Sequence, residues 1–238
     1  MLGRLRERYQ RAMRPIGEAL ARTGITPNMI TVLTVLVAGV SAYLFYLGDL
    51  IGGFIVMILT VVLDMFDGAV ARASGLSSPF GATLDHTLDR YAEFLFMLGL
   101  MAGPVNAPAI SWWPVASGDT FVPWFWGYVA LFGMIMASFA RAKAESVGGL
   151  DSCTVGVAER QEKLLLQFAG ILLLALWPSN VWFDFLSLLP PSVMQFFIFI
   201  QVTNILTMCV VVVAVLSHIT VVQRLLYARR AIESVPVE

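Results

Sequence analysis

Long apolar stretches constrain this 238-residue chain more than any other feature of its sequence. A membrane-spanning helix needs about 20 consecutive apolar residues. The length of the chain leaves room for about six such spans and short loops between them. Hydrophobic residues make up 58% of the chain and charged residues only 13%, about half the charged share of a soluble domain. The sequence therefore predicts an all-α integral membrane protein.

We predict six transmembrane helices preceded by an interfacial amphipathic helix. Residues 1–24 place arginines between apolar residues that recur every three or four positions, which is typical of a cytoplasmic juxtamembrane helix. Residues 25–228 then form one six-helix domain, and residues 229–238 form a cytoplasmic tail. The spans are predicted at about 25–47, 50–73, 81–102, 122–144, 163–177 and 193–226.

The distribution of basic residues predicts the orientation of these spans. None of the 15 Lys and Arg residues falls in 103–122 or 177–192, and a six-span topology puts all of them on one side. The positive-inside rule places that side and both termini in the cytoplasm. We expect the membrane to be the plasma membrane. The segment 103–121, with three prolines and the Trp112–Trp113 pair, suits an interfacial loop. The net charge of −1 gives no indication of a nucleic-acid partner.

Four aspartates stand out in this apolar chain, because acidic residues within spans are costly and usually functional. Asp64 and Asp67 share a face near the end of the second predicted span, and Asp85 and Asp89 share a face at the start of the third. A short turn makes these helices antiparallel neighbours, so the four carboxylates can converge at one depth. His86 is expected to point away from the face of its acidic neighbours.

Carboxylates gathered at one point repel one another unless a cation lies between them. Carboxylate oxygens suit Mg²⁺, Mn²⁺ or Ca²⁺. Gly68 and Ala71 leave the helix face open for a bulky ligand, although either alone is more often a helix-packing position. Arg72 adds a cation suited to phosphate. Together these residues predict a metal-dependent site for a diphosphate.

The same residues follow the spacing of a known signature. The chain resembles the CDP-alcohol phosphotransferase family at every fixed position of that signature, which here reads Asp64-x2-Asp67-Gly68-x2-Ala71-Arg72-x8-Gly81-x3-Asp85-x3-Asp89. The resemblance implies transfer of a phosphoalcohol unit from a CDP-linked donor to a hydroxyl acceptor, with release of CMP, at a cytoplasm-facing membrane site. It also implies two divalent cations, Mg²⁺ or Mn²⁺, and a homodimer.

The resemblance further implies a role for each matching residue. Asp64, Asp67 and Asp85 would bind metal, and Asp89 would be both a metal neighbour and the general base. Asn28, directly after Pro27, is equally suited to capping a helix. The sequence therefore leaves open whether Asn28 contacts the nucleotide. The residues expected to bind the CDP-linked donor are Gly68, Ala71, Arg72, Gly81, Asn28 and Thr31.

A second set of basic residues indicates the acceptor. The surroundings of Arg141, Lys143, Arg160 and Arg224 resemble the branch that makes phosphatidylinositol phosphate or archaetidylinositol phosphate, in which such residues bind the phosphate of inositol phosphate. The donor would be CDP-diacylglycerol or CDP-archaeol. Glycerol phosphate is an alternative acceptor, because it is also dianionic. The same cations could instead contact anionic lipid headgroups.

A different class of protein, an ion or proton transporter, would also use an acidic cluster within the membrane. The acids here cluster at one face only, and the sequence shows no inverted repeat of the kind that transporters use. Metal-dependent release of CMP from a CDP-linked lipid would distinguish the transferase from the transporter.

Overall fold

The computed structural model describes Pro15 and residues 17–20, 22–104, 120–177 and 179–233. These residues form helices joined by short turns and loops, and among them there is no β-strand, only an isolated bridge between Pro104 and Thr120. The helices are α1 (Pro27–Tyr46), α2 (Leu50–Ser74), α3 (Pro79–Ala102), α4 (Trp124–Ser146), α5 (Arg160–Leu176), α6 (Ser179–Ser187), α7 (Pro191–Phe199) and α8 (Ile205–Glu233).

Four of these helices are long and apolar enough to cross a membrane, namely α1, α2, α4 and α8. Large apolar side chains are exposed along them, for example Leu36, Ile55, Phe132 and Val215. Such surfaces are stable against lipid, and a helix satisfies its backbone polar groups internally. The chain is therefore an all-α, multi-pass membrane protein.

The first five predicted spans correspond to α1 through α5, with ends that differ by three residues or fewer. The sixth prediction, one continuous helix over 193–226, is wrong. The chain leaves helical geometry after α7, and Gln201 has a φ of 58°. Asn204 then caps α8, because its Oδ1 accepts the backbone N–H of Thr207 at 2.8 Å. Its Nδ2 donates to the carbonyl oxygen of Phe121 at 3.0 Å, which fixes the break in place.

Two predictions lie mainly outside the described residues. The N-terminal amphipathic helix over 1–24 falls largely on residues 1–14, although residues 17–20 are helical. The interfacial loop with the Trp112–Trp113 pair falls on residues 105–119. Both stay predictions.

The chain divides into two compact units, and the first comprises Met1–Phe45 and Ile51–Gly99. Here α1 packs closely against both α2 and α3. Ser41 Oγ donates to the carbonyl oxygen of Gly53 in α2 at 2.8 Å. At Gly99 in α3, a Cβ atom would stand only 2.5 Å from the carbonyl oxygen of Ala42, so only glycine permits this approach. These two contacts lie near the C-terminal end of α1, and the hydrogen bond from Thr31 Oγ1 to Asp67 Oδ2 joins the start of α1 to the second half of α2.

The second unit comprises Tyr46–Leu50 and Leu100–Glu238. Both α4 and α5 pack against α8, around buried side chains such as Leu131, Ile171 and Val213. Trp126 Nε1 in α4 donates to the carbonyl oxygen of Ile200, in the segment between α7 and α8, at 2.6 Å. This unit carries the predicted acceptor-binding cations.

Candidate active site

Three aspartates from two neighbouring helices converge in the first unit. Asp64 and Asp67 lie in α2 and Asp85 lies in α3, and one carboxylate oxygen from each lies within 4.8 Å of the others. Only residues 75–78 separate the two helices, so the chain reverses direction within one short turn. The spacing of i and i+3 then puts both α2 acids on the face toward α3. The structure brings together the three residues predicted as metal ligands.

Asp89 extends this cluster by one turn of α3. It is buried, and one of its carboxylate oxygens lies within 4.8 Å of ligand atoms from both Asp85 and His86. The expectation that His86 points away from the acids is wrong, because one of its ring nitrogens lies within 4.8 Å of carboxylate oxygens of Asp85 and Asp89. Because Asp85 belongs to both groups, the four acids form a continuous row.

The donor set of this row suits a divalent cation. Carboxylate oxygens are the ligands that Mg²⁺ and Mn²⁺ prefer. Asp64 and Asp85 are only partly buried, so an ion can reach them. Without a cation, four carboxylates within so short a distance would repel one another. The residues present therefore fit the metal centre that the signature implies.

Asp67 is buried and accepts a hydrogen bond on each of its two carboxylate oxygens. Only 7% of the residue is exposed. Its Oδ2 accepts a hydrogen bond from Thr31 Oγ1 in α1 at 3.0 Å, and its Oδ1 accepts one from the backbone N–H of Gly68. With a donor on each oxygen, the carboxylate is fixed in rotation as well as in position.

A cavity of about 180 Å³ adjoins these acids within the first unit. Both α1 and α3 begin at its wall, and the N-terminal ends of helices favour anions such as phosphate. The wall includes the carboxyl-bearing residues Asp67 and Asp85. Of the six residues predicted to bind the donor, five line the cavity: Asn28, Thr31, Gly68, Ala71 and Gly81.

The sixth predicted donor ligand, Arg72, is exposed and lies against Gly68. A Cβ atom on Gly68 would stand 3.1 Å from Arg72 Nη1, so the glycine leaves the room that the guanidinium occupies. The guanidinium therefore lies next to one of the residues that line the cavity. This position is suitable for a cation that binds donor phosphate.

The turn between α2 and α3 also forms part of the cavity wall, which the sequence pattern did not predict. Ser77 and Ser78 both line it, and Ser78 Oγ accepts the backbone N–H of Gly81 at 2.9 Å as the N-cap of α3. A serine directly before Pro79 is a recognisable capping pattern. That pattern, placed between the two acid pairs, was the available signal.

The four predicted acceptor-binding cations all lie in the second unit. Arg141 Nε donates to Glu145 Oε1 at 2.9 Å, an exposed pair within α4. Lys143 is exposed, with Nζ 5.8 Å from the centre of the Phe139 ring. Arg160 is the exposed first residue of α5. These three side chains reach solvent, where a soluble phosphate can contact them.

Arg224 differs from the other three because it is buried, with 7% of the residue exposed. Its Nε donates to the carbonyl oxygen of Val155 at 3.0 Å, and its Nη1 donates to that of Ala137 in α4 at 2.6 Å. One residue earlier in α8, Gln223 Oε1 accepts the backbone N–H of Val157 at 2.8 Å. Arg224 and Gln223 thus anchor the loop of residues 150–159 to α8.

The fold and the acidic row identify the class of protein to which the chain belongs. The sequence pattern of the CDP-alcohol phosphatidyltransferase family matches residues 24–215, which is most of the chain and includes every residue of the acidic row and of the cavity wall. The chain is a member of this family and an enzyme of the CDP-alcohol phosphotransferase type.

Individual relatives point to one branch of the family. The archaetidylinositol phosphate synthase of Pyrococcus horikoshii is 29% identical over 233 residues, covering 98% of this chain and 99% of that protein. Phosphatidylinositol phosphate synthase of Mycobacterium tuberculosis, solved with CDP-DAG bound, has a TM-score of 0.68 and 28% identity, covering 92% of this chain and 94% of that one. The same protein solved with manganese and citrate has a TM-score of 0.67 and 28% identity, covering 91% and 88%.

Proposed function

We propose that this protein transfers the phospholipid moiety of CDP-diacylglycerol or CDP-archaeol to a hydroxyl of inositol phosphate and releases CMP. The observation that carries the proposal is the row of signature aspartates beside a cavity walled by the starts of two helices. The relatives named above make phosphatidylinositol phosphate or archaetidylinositol phosphate, and they match this chain over nearly its whole length.

In the proposed mechanism, the donor diphosphate lies in the cavity of the first unit. Asn28 and Gly81 contact the nucleotide end, and Arg72 binds phosphate through charge-assisted hydrogen bonds. Gly68 and Ala71 have no bulky side chain, which leaves room for the cytidine. The N-terminal ends of α1 and α3 add favourable partial positive charge.

Asp64, Asp67 and Asp85 would hold Mg²⁺ or Mn²⁺, with Asp89 contributing to a second ion. Bound metal supplies charge that neutralises the diphosphate and stabilises the departing CMP. Asp89 acts as the general base and accepts the proton of the acceptor hydroxyl. The oxygen of that hydroxyl forms a bond to the phosphorus nearest the lipid, and the bond from this phosphorus to CMP breaks.

For the acceptor, we propose that Arg141, Lys143, Arg160 and Arg224 bind the phosphate of inositol phosphate. An arginine presents five N–H donors, and the two carbonyl bonds of Arg224 use two of them. The guanidinium can therefore hold the 150–159 loop and still donate to a phosphate. A dianionic acceptor needs such cations, whereas free inositol or serine does not.

The proposed topology has six spans, with both termini and the active site facing the cytoplasm at the plasma membrane. It adds α3 and α5 to the four long apolar helices. The 24 residues of α3 extend about 36 Å, and the 17 residues of α5 reach the lower limit for a span. We further propose a homodimer, which native mass spectrometry of the purified protein would test.

An acceptor screen tests the function. The purified protein would receive one CDP-linked lipid with inositol phosphate, glycerol phosphate, inositol or serine, in Mg²⁺, in Mn²⁺ or in EDTA, and released CMP would be measured. We expect release with inositol phosphate only, and none in EDTA. Preference for glycerol phosphate would change the acceptor but keep the chemistry. Absence of CMP release with every acceptor would contradict the proposal.

Variants of the acidic row connect that activity to the site. Asp64→Asn or Asp67→Asn removes an anionic ligand, so each should abolish most of the turnover while membrane insertion persists. Full metal-dependent turnover in either variant would contradict its assignment as an essential ligand.

A further inference from the structure

Thr31 makes a contact that the signature residues do not explain. Its Oγ1 lies 3.0 Å from Asp67 Oδ2, and the two residues are 36 positions apart in the chain. Both residues are buried, with 5% of Thr31 and 7% of Asp67 exposed. The bond therefore joins the first turns of α1 to the acid-bearing end of α2.

The hydroxyl of Thr31 has one proton and two nearby acceptors. The carbonyl oxygen of Pro27, one turn earlier in α1, lies 3.1 Å from Oγ1. Hydrogen bonds to ionised acceptors are shorter and about twice as strong as those between neutral groups. The carboxylate of Asp67 is therefore the preferred acceptor.

Asp67 receives a separate donor on each of its oxygens. The backbone N–H of Gly68 holds Oδ1, so Thr31 is the partner that fixes Oδ2. Each carboxylate oxygen can accept more than one interaction, so these hydrogen bonds leave lone pairs for a cation. Partners of this kind orient a ligand, and their removal typically costs 10- to 100-fold in metal affinity.

We propose that Thr31 is a positioning residue that orients the carboxylate of Asp67 toward the divalent cation, in addition to lining the donor cavity. The proposal rests on the metal-dependent transfer proposed above and assigns one element of its metal centre to α1. It predicts that loss of the hydroxyl weakens metal binding even when no donor is present.

The chain offers a matched control for this test. Thr34 is one turn farther along α1 and is as buried as Thr31. Its Oγ1 donates to the carbonyl oxygen of Ile30 at 2.9 Å, within its own helix. Replacing either threonine by valine removes one hydroxyl at nearly constant volume, but only Thr31→Val removes a hydrogen bond to Asp67.

The experiment titrates Mn²⁺ into the purified full-length protein without substrate and follows free Mn²⁺ by electron paramagnetic resonance. We expect Thr31→Val to raise the Mn²⁺ dissociation constant by about 10- to 100-fold, and Thr31→Ser and Thr34→Val to stay within about threefold of the native protein. Circular dichroism and the melting temperature would report on folding.

Equal Mn²⁺ affinity in Thr31→Val and the native protein would overturn the inference and leave Thr31 as a donor contact only. The same loss in Thr34→Val would also overturn it, because the effect would then be structural. If the native protein bound no Mn²⁺, the proposed metal centre itself would fail. Should Thr31→Val not fold, Thr31→Ala and Thr31→Ser would be compared, and equal affinity in these two would overturn the inference.

Discussion

Arg224→Gln tests whether the buried arginine stabilises the second unit as well as binding the acceptor. The variant loses two hydrogen bonds from a charged donor, each of which contributes about 1.5–3 kcal/mol. The carbonyl of Ala137 lies inside α4 and can keep its hydrogen bond within the helix. Loss of the bond from Arg224 to this carbonyl should therefore cost an amount at the lower end of that range. Removal of a buried charge offsets part of the cost. We therefore expect the free energy of unfolding to fall by roughly 2–4 kcal/mol.

The matched variant is Arg160→Gln, at an exposed position at the start of α5. Exposed substitutions usually change stability by about 0.5 kcal/mol or less. Both variants should raise KM for inositol phosphate by roughly 10- to 100-fold, because each removes a charge-assisted bond to its phosphate. Neither should change KM for the CDP-linked lipid by much.

The assay combines thermal melting of the purified protein with steady-state kinetics. Arg224→Gln should melt roughly 5–15 °C below the native protein, whereas Arg160→Gln should melt with it. Arg224→Lys, which keeps the charge but not the planar fork, should recover acceptor binding more than stability. Equal melting of Arg224→Gln and the native protein would refute the anchoring role. If KM for inositol phosphate were unchanged in both Gln variants, the two arginines would not bind the acceptor and would be assigned to contacts with lipid headgroups.

Three further predictions concern the first unit. Asp85→Asn should abolish turnover and weaken Mn²⁺ binding, since Asp85 lies close both to the α2 aspartates and to Asp89. Normal turnover in Mn²⁺ would contradict this role. Asp89→Asn should abolish turnover but leave binding of the CDP-linked lipid, and of the cation held by Asp64, Asp67 and Asp85, largely intact; parallel loss of donor binding would make Asp89 principally a metal ligand. Gly68→Ala should displace Arg72 Nη1 and raise donor KM by about tenfold with little change in melting temperature. An unchanged donor KM would show that the displaced guanidinium does not bind the donor.

The acidic row could be predicted from sequence because its geometry is local. The spacing of Asp64 and Asp67 fixes a shared face on one helix, and that of Asp85 and Asp89 does so on the next. A turn of only residues 75–78 then forces the two helices to be neighbours. No long-range information is needed to bring these carboxylates together.

The break before α8 could not be predicted in the same way. Apolar residues continue through 193–226, and Asn204 is a weak breaker by itself. What stabilises the break is a long-range contact, the hydrogen bond from its side chain to the carbonyl oxygen of Phe121, 83 residues away. The pattern of apolar residues indicates which residues avoid water. It does not indicate where a helix ends because a side chain bonds a distant carbonyl.

For Thr31 and Arg224, the sequence indicated where a polar or charged residue lies but not which atoms it contacts. The sequence indicated a polar residue at the start of α1 and a cation near the end of α8, and both are there. Yet the hydroxyl of Thr31 donates to Asp67 across 36 residues, and the guanidinium of Arg224 donates to two backbone carbonyls. Every residue has a backbone carbonyl, so the sequence does not show which carbonyls accept a hydrogen bond from a side chain. An arginine that binds carbonyls therefore cannot be distinguished by sequence from one that binds a phosphate. Burial separates the two cases, because a residue that is 7% exposed must satisfy its charge within the protein before it can serve a ligand.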